Sequence, residues 1–186
     1  TSDELFMSSR DGLHFHRWGE AFVRPGPERP GTWVYGDCYQ MHGLIETDSH
    51  LPGAPREISI FLPEGYWMQS VRMRRYTIRV DGFVSAHAPL EGGELLTKPF
   101  MFTGKRLSLN FATSAAGGLH VELTDADGKP LPGFSMADSD EIFGDSLDRT
   151  VTWKEKSDTS SLAGKTVRMR FSLRDADVYS FQFTEN

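Results

Sequence analysis

Two carboxylates facing one small molecule can divide acid and base work between them. For a glycosidic bond they need to stand about 5–9 Å apart. The first eighty residues offer Asp37, Glu46, Asp48, Glu57 and Glu64 for such a pair. Glu57 is the strongest choice, because it opens a strand-like run after the Pro- and Gly-containing loop 49–55. Its plain structural alternative is an ion pair with the adjacent Arg56. Asp37 lies between Tyr35 and Tyr39 and could hydrogen-bond a hydroxyl group. It suits a turn at Gly36-Asp37 equally well.

Aromatic residues are the second chemical signal. Trp18, Trp33, Tyr35, Tyr39, Tyr66 and Trp67 crowd residues 18–67, several of them beside Gly or Pro. Flat rings stack on the apolar faces of pyranoses while polar neighbours satisfy the hydroxyls. Trp33, Tyr35, Tyr39, His42 and Trp67 are therefore the candidate sugar-binding residues, with burial in a core as the alternative for the tryptophans. Trp153, Tyr179, Phe181 and Phe183 fall inside or at strand spacing and read as core.

Metal chemistry has two candidates. His14 and His16 flank Phe15 on one face of a strand, which suits paired ligation, but no third ligand follows at a defined spacing. A solvated strand face explains them as well. Asp138, Asp140, Glu141 and Asp145, with Asp148 just beyond, gather oxygen donors of the kind calcium takes. Their spacing is not that of an EF-hand, and a solvated loop is the alternative. Calcium is the one cofactor the sequence suggests. Cys38 has no nucleophile motif around it and reads as a small buried hydrophobe.

The elements that must position these groups are strands. No stretch repeats apolar residues at helical spacing over three turns. Eighteen Gly and ten Pro divide the chain into short alternating runs instead. Strands are expected at 5–9, 15–22, 33–40, 41–47, 57–62 and 71–80 in the first half. A bulge is expected where Arg74-Arg75 breaks the alternation. In the second half they are expected at 94–102, 106–113, 119–124, 151–154, 166–173 and 178–183, with turns at Gly117-Gly118 and at Asp125-Ala126-Asp127-Gly128. The expected fold is all-β, its second half a jelly-roll-like β-sandwich.

Composition sets the outer limits. The chain has 186 residues, 38% hydrophobic and 25% charged, an ordinary globular mix. No apolar run approaches the roughly 18 residues of a membrane helix. One cysteine excludes an internal disulfide, and a formal charge of −6 argues against a nucleic-acid partner. The charge is unevenly made: residues 1–80 carry nine Arg, no Lys and ten acids. With three of the four Trp in that part, this divides the chain into segments 1–82 and 83–186. The chain opens Thr-Ser-Asp-Glu without an initiator Met, which reads as a processed or excised piece.

Certain motifs carry a resemblance. Ser9-Arg10-Asp11-Gly12-Leu13-His14-Phe15 resembles a strand turn of five-bladed propellers in the family 32 and family 43 glycoside hydrolase superfamily. Arg79-Val80-Asp81-Gly82-Phe83-Val84-Ser85 is similar to the end of such a propeller in bacterial proteins that continue into a C-terminal sandwich. Leu95 to Phe100, Gly104 to Leu107, Phe143 to Ser146 and Leu162 to Phe171 resemble that sandwich. The resemblance implies a remnant of the last propeller blades over 1–82 and a sandwich module over 83–186. It places Glu57 where propeller sites lie, at strand starts near the axis. It implies a carbohydrate-associated module that packs on or extends a sugar cleft, with an oligo- or polysaccharide and a preceding propeller region as partners. It also implies export from a bacterial cell, to the periplasm or beyond. An active glycosidase whose main catalytic residues lie further N-terminal, and a structural cap with no ligand, are its two rivals. The propeller's nucleophile strand and a glutamate general-acid motif are not found here.

Overall fold

The computed structural model describes residues 3–30, 33, 38–41 and 43–185. The protein is all-β, and no α-helix occurs among the described residues. It divides into two compact units, Thr1–Phe83 and Val84–Asn186.

The first unit holds two small antiparallel sheets. Strands β1 (Glu4–Ser9) and β2 (Phe15–Val23) form a hairpin. Its turn is tied by Asp11, whose Oδ1 accepts the backbone N–H groups of Leu13 and His14 at 2.9 and 2.8 Å. Gly12, at φ +73°, supplies the left-handed residue that closes it. Phe6 of β1 stacks on Phe83 with centroids 5.0 Å apart, and Phe22 of β2 joins them. The second sheet has the order β3 (Ile45–Thr47), β4 (Glu57–Glu64), β5 (Arg72–Arg79). The expected bulge at Arg74-Arg75 is absent: β4 and β5 pair in unbroken register from Glu57↔Arg79 to Glu64↔Arg72. The two arginines simply point to opposite faces, and each finds polar partners on its own side. The run 41–47 is a strand only at its end, and 38–40 is not one.

The second unit is built on two long strands, β8 (Arg106–Thr124) and β10 (Arg168–Thr184), paired along almost their whole length. Strands β6 (Ala86–Ala88) and β7 (Gly93–Leu96) flank β10, and β9 (Asp145–Thr150) flanks β8. Each long strand replaces two that the sequence predicts. Gly117 and Gly118, between the two strands expected within β8, mark close approach, not a turn. A Cβ on Gly117 would stand 2.3 Å from the carbonyl oxygen of Asp175, so only glycine lets the facing backbones pass. The β8–β10 ladder shifts register twice there: Ser114 to Gly117 of β8 stand against Asp175 between the pairs Gly118↔Arg174 and Thr113↔Ala176, and Tyr179 is the extra residue of β10 between Val178 and Ser180. Such bulges bend a strand and strengthen its twist, so the sheet curls around its own contents, in keeping with a β-sandwich.

Those contents are the main core. Leu107, Leu109, Phe111, Leu119, Val121 and Leu123 of β8 meet Met169, Phe171, Leu173, Ala176 and Val178 of β10. The second bulge falls at Tyr179 and takes it out of the alternation the sequence suggests, while Phe181 and Phe183 pair with the core residues Leu109 and Leu107. Phe183 stacks on Phe102 at 3.6 Å, yet Phe181 is still 39% exposed. Trp153 is core as expected but lies in no strand. Its indole N–H donates to the Val121 carbonyl at 2.8 Å, and its ring meets Phe134 edge-on.

Candidate functional site: an arginine-lined cleft

Alternation along β5 puts Arg72, Arg74 and Tyr76 on one face of the three-stranded sheet. Register with β4 sets them opposite Glu64, Leu62 and Ile60. Leu62 and Ile60 are 1% and 2% exposed, so this face has an apolar floor with polar groups above it. The loop 24–30 forms the facing wall. It contributes Arg24 and Arg29 together with Pro25, Pro27 and Pro30, whose rings restrict the backbone and stiffen it. The enclosed cleft measures about 280 Å³. The single cysteine, Cys38, is buried in its lining, as the sequence suggests.

Glu64 organises the floor side. It accepts the Tyr76 hydroxyl at 2.8 Å through Oε1 and the Arg72 Nε–H at 2.8 Å through Oε2, and Arg74 Nε stands 2.7 Å from Oε1. Burial pushes the Glu64 carboxyl up. The hydrogen bonds from Tyr76 and Arg72, with the charges of Arg74 and Arg72, outweigh it and hold the group below its ordinary value. Tyr76 is pushed up to about 12, first by burial and then by its hydrogen bond to the Glu64 carboxylate and that group's charge. Among the described lining residues, four arginines stand against one glutamate, a positive balance in a chain whose overall charge is negative.

Exposed aromatic residues neighbour segments that line the cleft. Trp33 is 44% exposed, and its indole N–H donates to the carbonyl of Gly26, between Pro25 and Pro27, at 2.6 Å. Trp67 is 74% exposed on the β4–β5 turn, edge-on to Tyr66 at 5.0 Å. Gly65 and Ser70 of that turn line the cleft. Both tryptophans have positive φ, 59° and 69°, a costly conformation for a bulky side chain. Tyr39, next to Cys38, is also exposed.

The residues singled out from sequence are thus distributed unevenly. Trp33, Trp67 and Tyr39 lie on or beside the cleft lining. Tyr35, Asp37 and His42 lie outside the described residues. Glu57 falls on the other face of the sheet from Glu64, seven positions away along β4. There its Oε1 accepts the Ser49 hydroxyl at 3.1 Å, and its Oε2 stands 3.4 Å from Arg75. Its cationic partner is Arg75, not the neighbouring Arg56, which turns to Glu46 and Asp48.

The acidic run does not converge. Asp138 pairs with Lys154 and accepts the Ser135 hydroxyl at 2.6 Å. Asp140 accepts the Thr152 hydroxyl and the Glu155 N–H. Glu141 faces Arg174 at 3.8 Å, and Asp145 opens β9. Among the described residues no three His, Cys, Asp or Glu side chains are grouped to hold a metal ion. His14 and His16 also part company. His14 sits in the hairpin turn with Nδ1 2.7 Å from Asp11 Oδ2, while His16 packs edge-on against Trp18. Asp11 is held well below the usual carboxylate range by the backbone N–H and then the ring of His14, with the Leu13 N–H and Ser9 hydroxyl adding to them.

Sequence reasoning passed over the cleft arginines. Their signal was present: Arg at i and i+2 with Tyr at i+4 on one strand, Arg beside Pro twice in one loop, and no lysine in the first eighty residues. The fold and site define an all-β protein with a cationic, aromatic-edged cleft in its first unit. No protein-family model, no curated protein and no solved structure matches the chain.

Proposed function

We propose that the protein is a carbohydrate-associated binding module and that the cleft of the first unit is its sugar site. The observation that carries this is a pair of exposed tryptophans beside one cleft: Trp33, bonded to the Gly26 carbonyl of the proline loop, and Trp67, on the turn whose Gly65 and Ser70 line the cleft. Rings kept in the open at a conformational cost have a use beyond packing. Stacked on a pyranose, they would bring its hydroxyls over the guanidiniums and the Tyr76–Glu64 pair. The motif resemblance points to the same class of ligand and to work beside a glycoside hydrolase-like region. Glu57 serves this reading as an anchor for Arg75 on the far face of the sheet, not as an acid of the cleft.

Titration of the chain with a broad panel of oligosaccharides, followed by tryptophan fluorescence and calorimetry, tests the proposal. Binding is expected to weaken about tenfold in Trp67→Ala, since a stacked ring contributes ~1–1.5 kcal/mol beyond its area. Trp67 is largely exposed, so the variant should melt like the parent. No binding to any glycan, by this chain and by any longer form of it, would overturn the proposal.

A further inference from the structure

The geometry points to an acidic saccharide as the ligand: the arginine-lined cleft receives a carboxylate or sulfate group on the sugar. This rests on the carbohydrate reading and narrows it. Arg24, Arg29, Arg72 and Arg74 line one concavity, and Glu64 is the acidic side chain among its described lining residues. Glu64 engages Arg72 and Arg74 through their Nε atoms. That leaves the terminal amino groups of both guanidiniums with no acceptor among the described residues. Arg24 has no acidic partner among the described residues. An uncharged sugar needs donors and acceptors in mixture. A wall of guanidiniums offers donors only.

The choice of cation supports the same conclusion. Guanidinium presents a planar fork that matches the two oxygens of a carboxylate or sulfate, and it is desolvated more readily than an ammonium group. The first unit uses Arg throughout and no Lys. Prolines in the facing wall restrict its movement, so the positive groups are set before the ligand arrives.

The test compares four probes on the full chain: polygalacturonate, dextran sulfate, neutral dextran, and double-stranded DNA at matched charge concentration. Binding of polygalacturonate, dextran sulfate or both is expected to exceed that of dextran and DNA, and to weaken as NaCl rises from about 50 to 500 mM. The two acidic arms separate a carboxylate from a sulfate ligand. Arg24→Ala should lower the favoured affinity about tenfold, the loss of one charge-assisted contact. It removes no ion pair among the described residues, so its melting temperature should not move. Arg74→Ala should do the same at some cost in stability, and Arg74→Lys should restore the melt but not the affinity.

Neutral glycans bound as tightly as acidic ones would overturn the acidic ligand and leave the sugar site standing. Acidic glycans bound unchanged by Arg24→Ala and Arg74→Ala would place them elsewhere and overturn the assignment. Equal binding of DNA would reduce the effect to general polyanion attraction and overturn it as well. No binding of any glycan would remove this inference and the proposed function together.

Discussion

Glu64 is the residue on which the cleft turns, and pH is the handle on it. Its carboxyl is held below the ordinary value of 4.5 in the folded protein. The ionised form is therefore favoured by folding. Its contribution to stability is present above pH 4.5 and disappears as pH falls through the lower folded value. Glu64→Gln should lower the melting temperature near neutrality. The gap between variant and parent should close in acid, which calorimetry between pH 3 and 7 would follow. The same carboxylate, together with burial, keeps the Tyr76 phenol neutral up to about pH 12. Alkaline titration at 295 nm should show one of the five tyrosines ionising late. In Glu64→Gln that transition should move back toward pH 10, because the acceptor's charge is gone while burial remains.

At the scale of elements, the glycines of β8 make a sharp comparison. A Cβ at Gly117 meets backbone carbonyls of Asp175 and Arg174 at 2.3 and 2.8 Å, which cannot swing aside. At Gly118 it meets the carboxylate end of Glu141 at 2.6 Å, an exposed side chain that can. Gly117→Ala should cost about 1–3 kcal/mol or more as overpacking, and Gly118→Ala clearly less, by urea denaturation of each. The same two residues show what the sequence could tell. Alternating Leu107, Leu109, Phe111 and Val167, Met169, Phe171 announced strands and their inward face. Gly-Gly looks the same whether it turns a chain or lets two backbones pass, since the difference lies in what comes opposite. The bulge at Tyr179 was hidden for that reason too, because register belongs to a pair of strands and not to one. In the first unit, hairpin and sheet followed from local pattern. The cleft did not, because Arg24 and Arg74 are fifty residues apart in the chain and meet only through the sheet and the loop above it. The aromatic residues were found because exposure in Gly- and Pro-rich loops is a local property. Glu57 lies on the face away from Glu64 because an odd number of positions separates them along β4.

Across the whole molecule the two units are unequally endowed. Eighteen buried hydrophobic residues form the core of the second, whereas Cys38, Ile60 and Leu62 are the buried hydrophobic residues described in the first. Met7, Leu13, Phe15, Met41, Leu51 and Trp67 of the first unit are exposed instead. Apolar area removed from water at ~25 cal/mol per Å² is the main force set against chain entropy, and a small unit with so little of it is marginal. Residues 84–186 made alone should melt in one cooperative transition. Residues 1–83 made alone should show weak, gradual loss of structure. Circular dichroism against temperature distinguishes the two, and a sharp melt of 1–83 would show that its small sheets suffice.

The position of Cys38 in the cleft lining has a practical consequence. It is the chain's single sulfhydryl, 6% exposed, on a backbone with φ of 68°. Because it is buried, its reaction with a thiol reagent requires local opening, so the labelling rate becomes a clock for movement around the cleft. A ligand seated in the cleft stops the clock. The chain thus carries, in the lining of the proposed site, its own chemical reporter of occupancy.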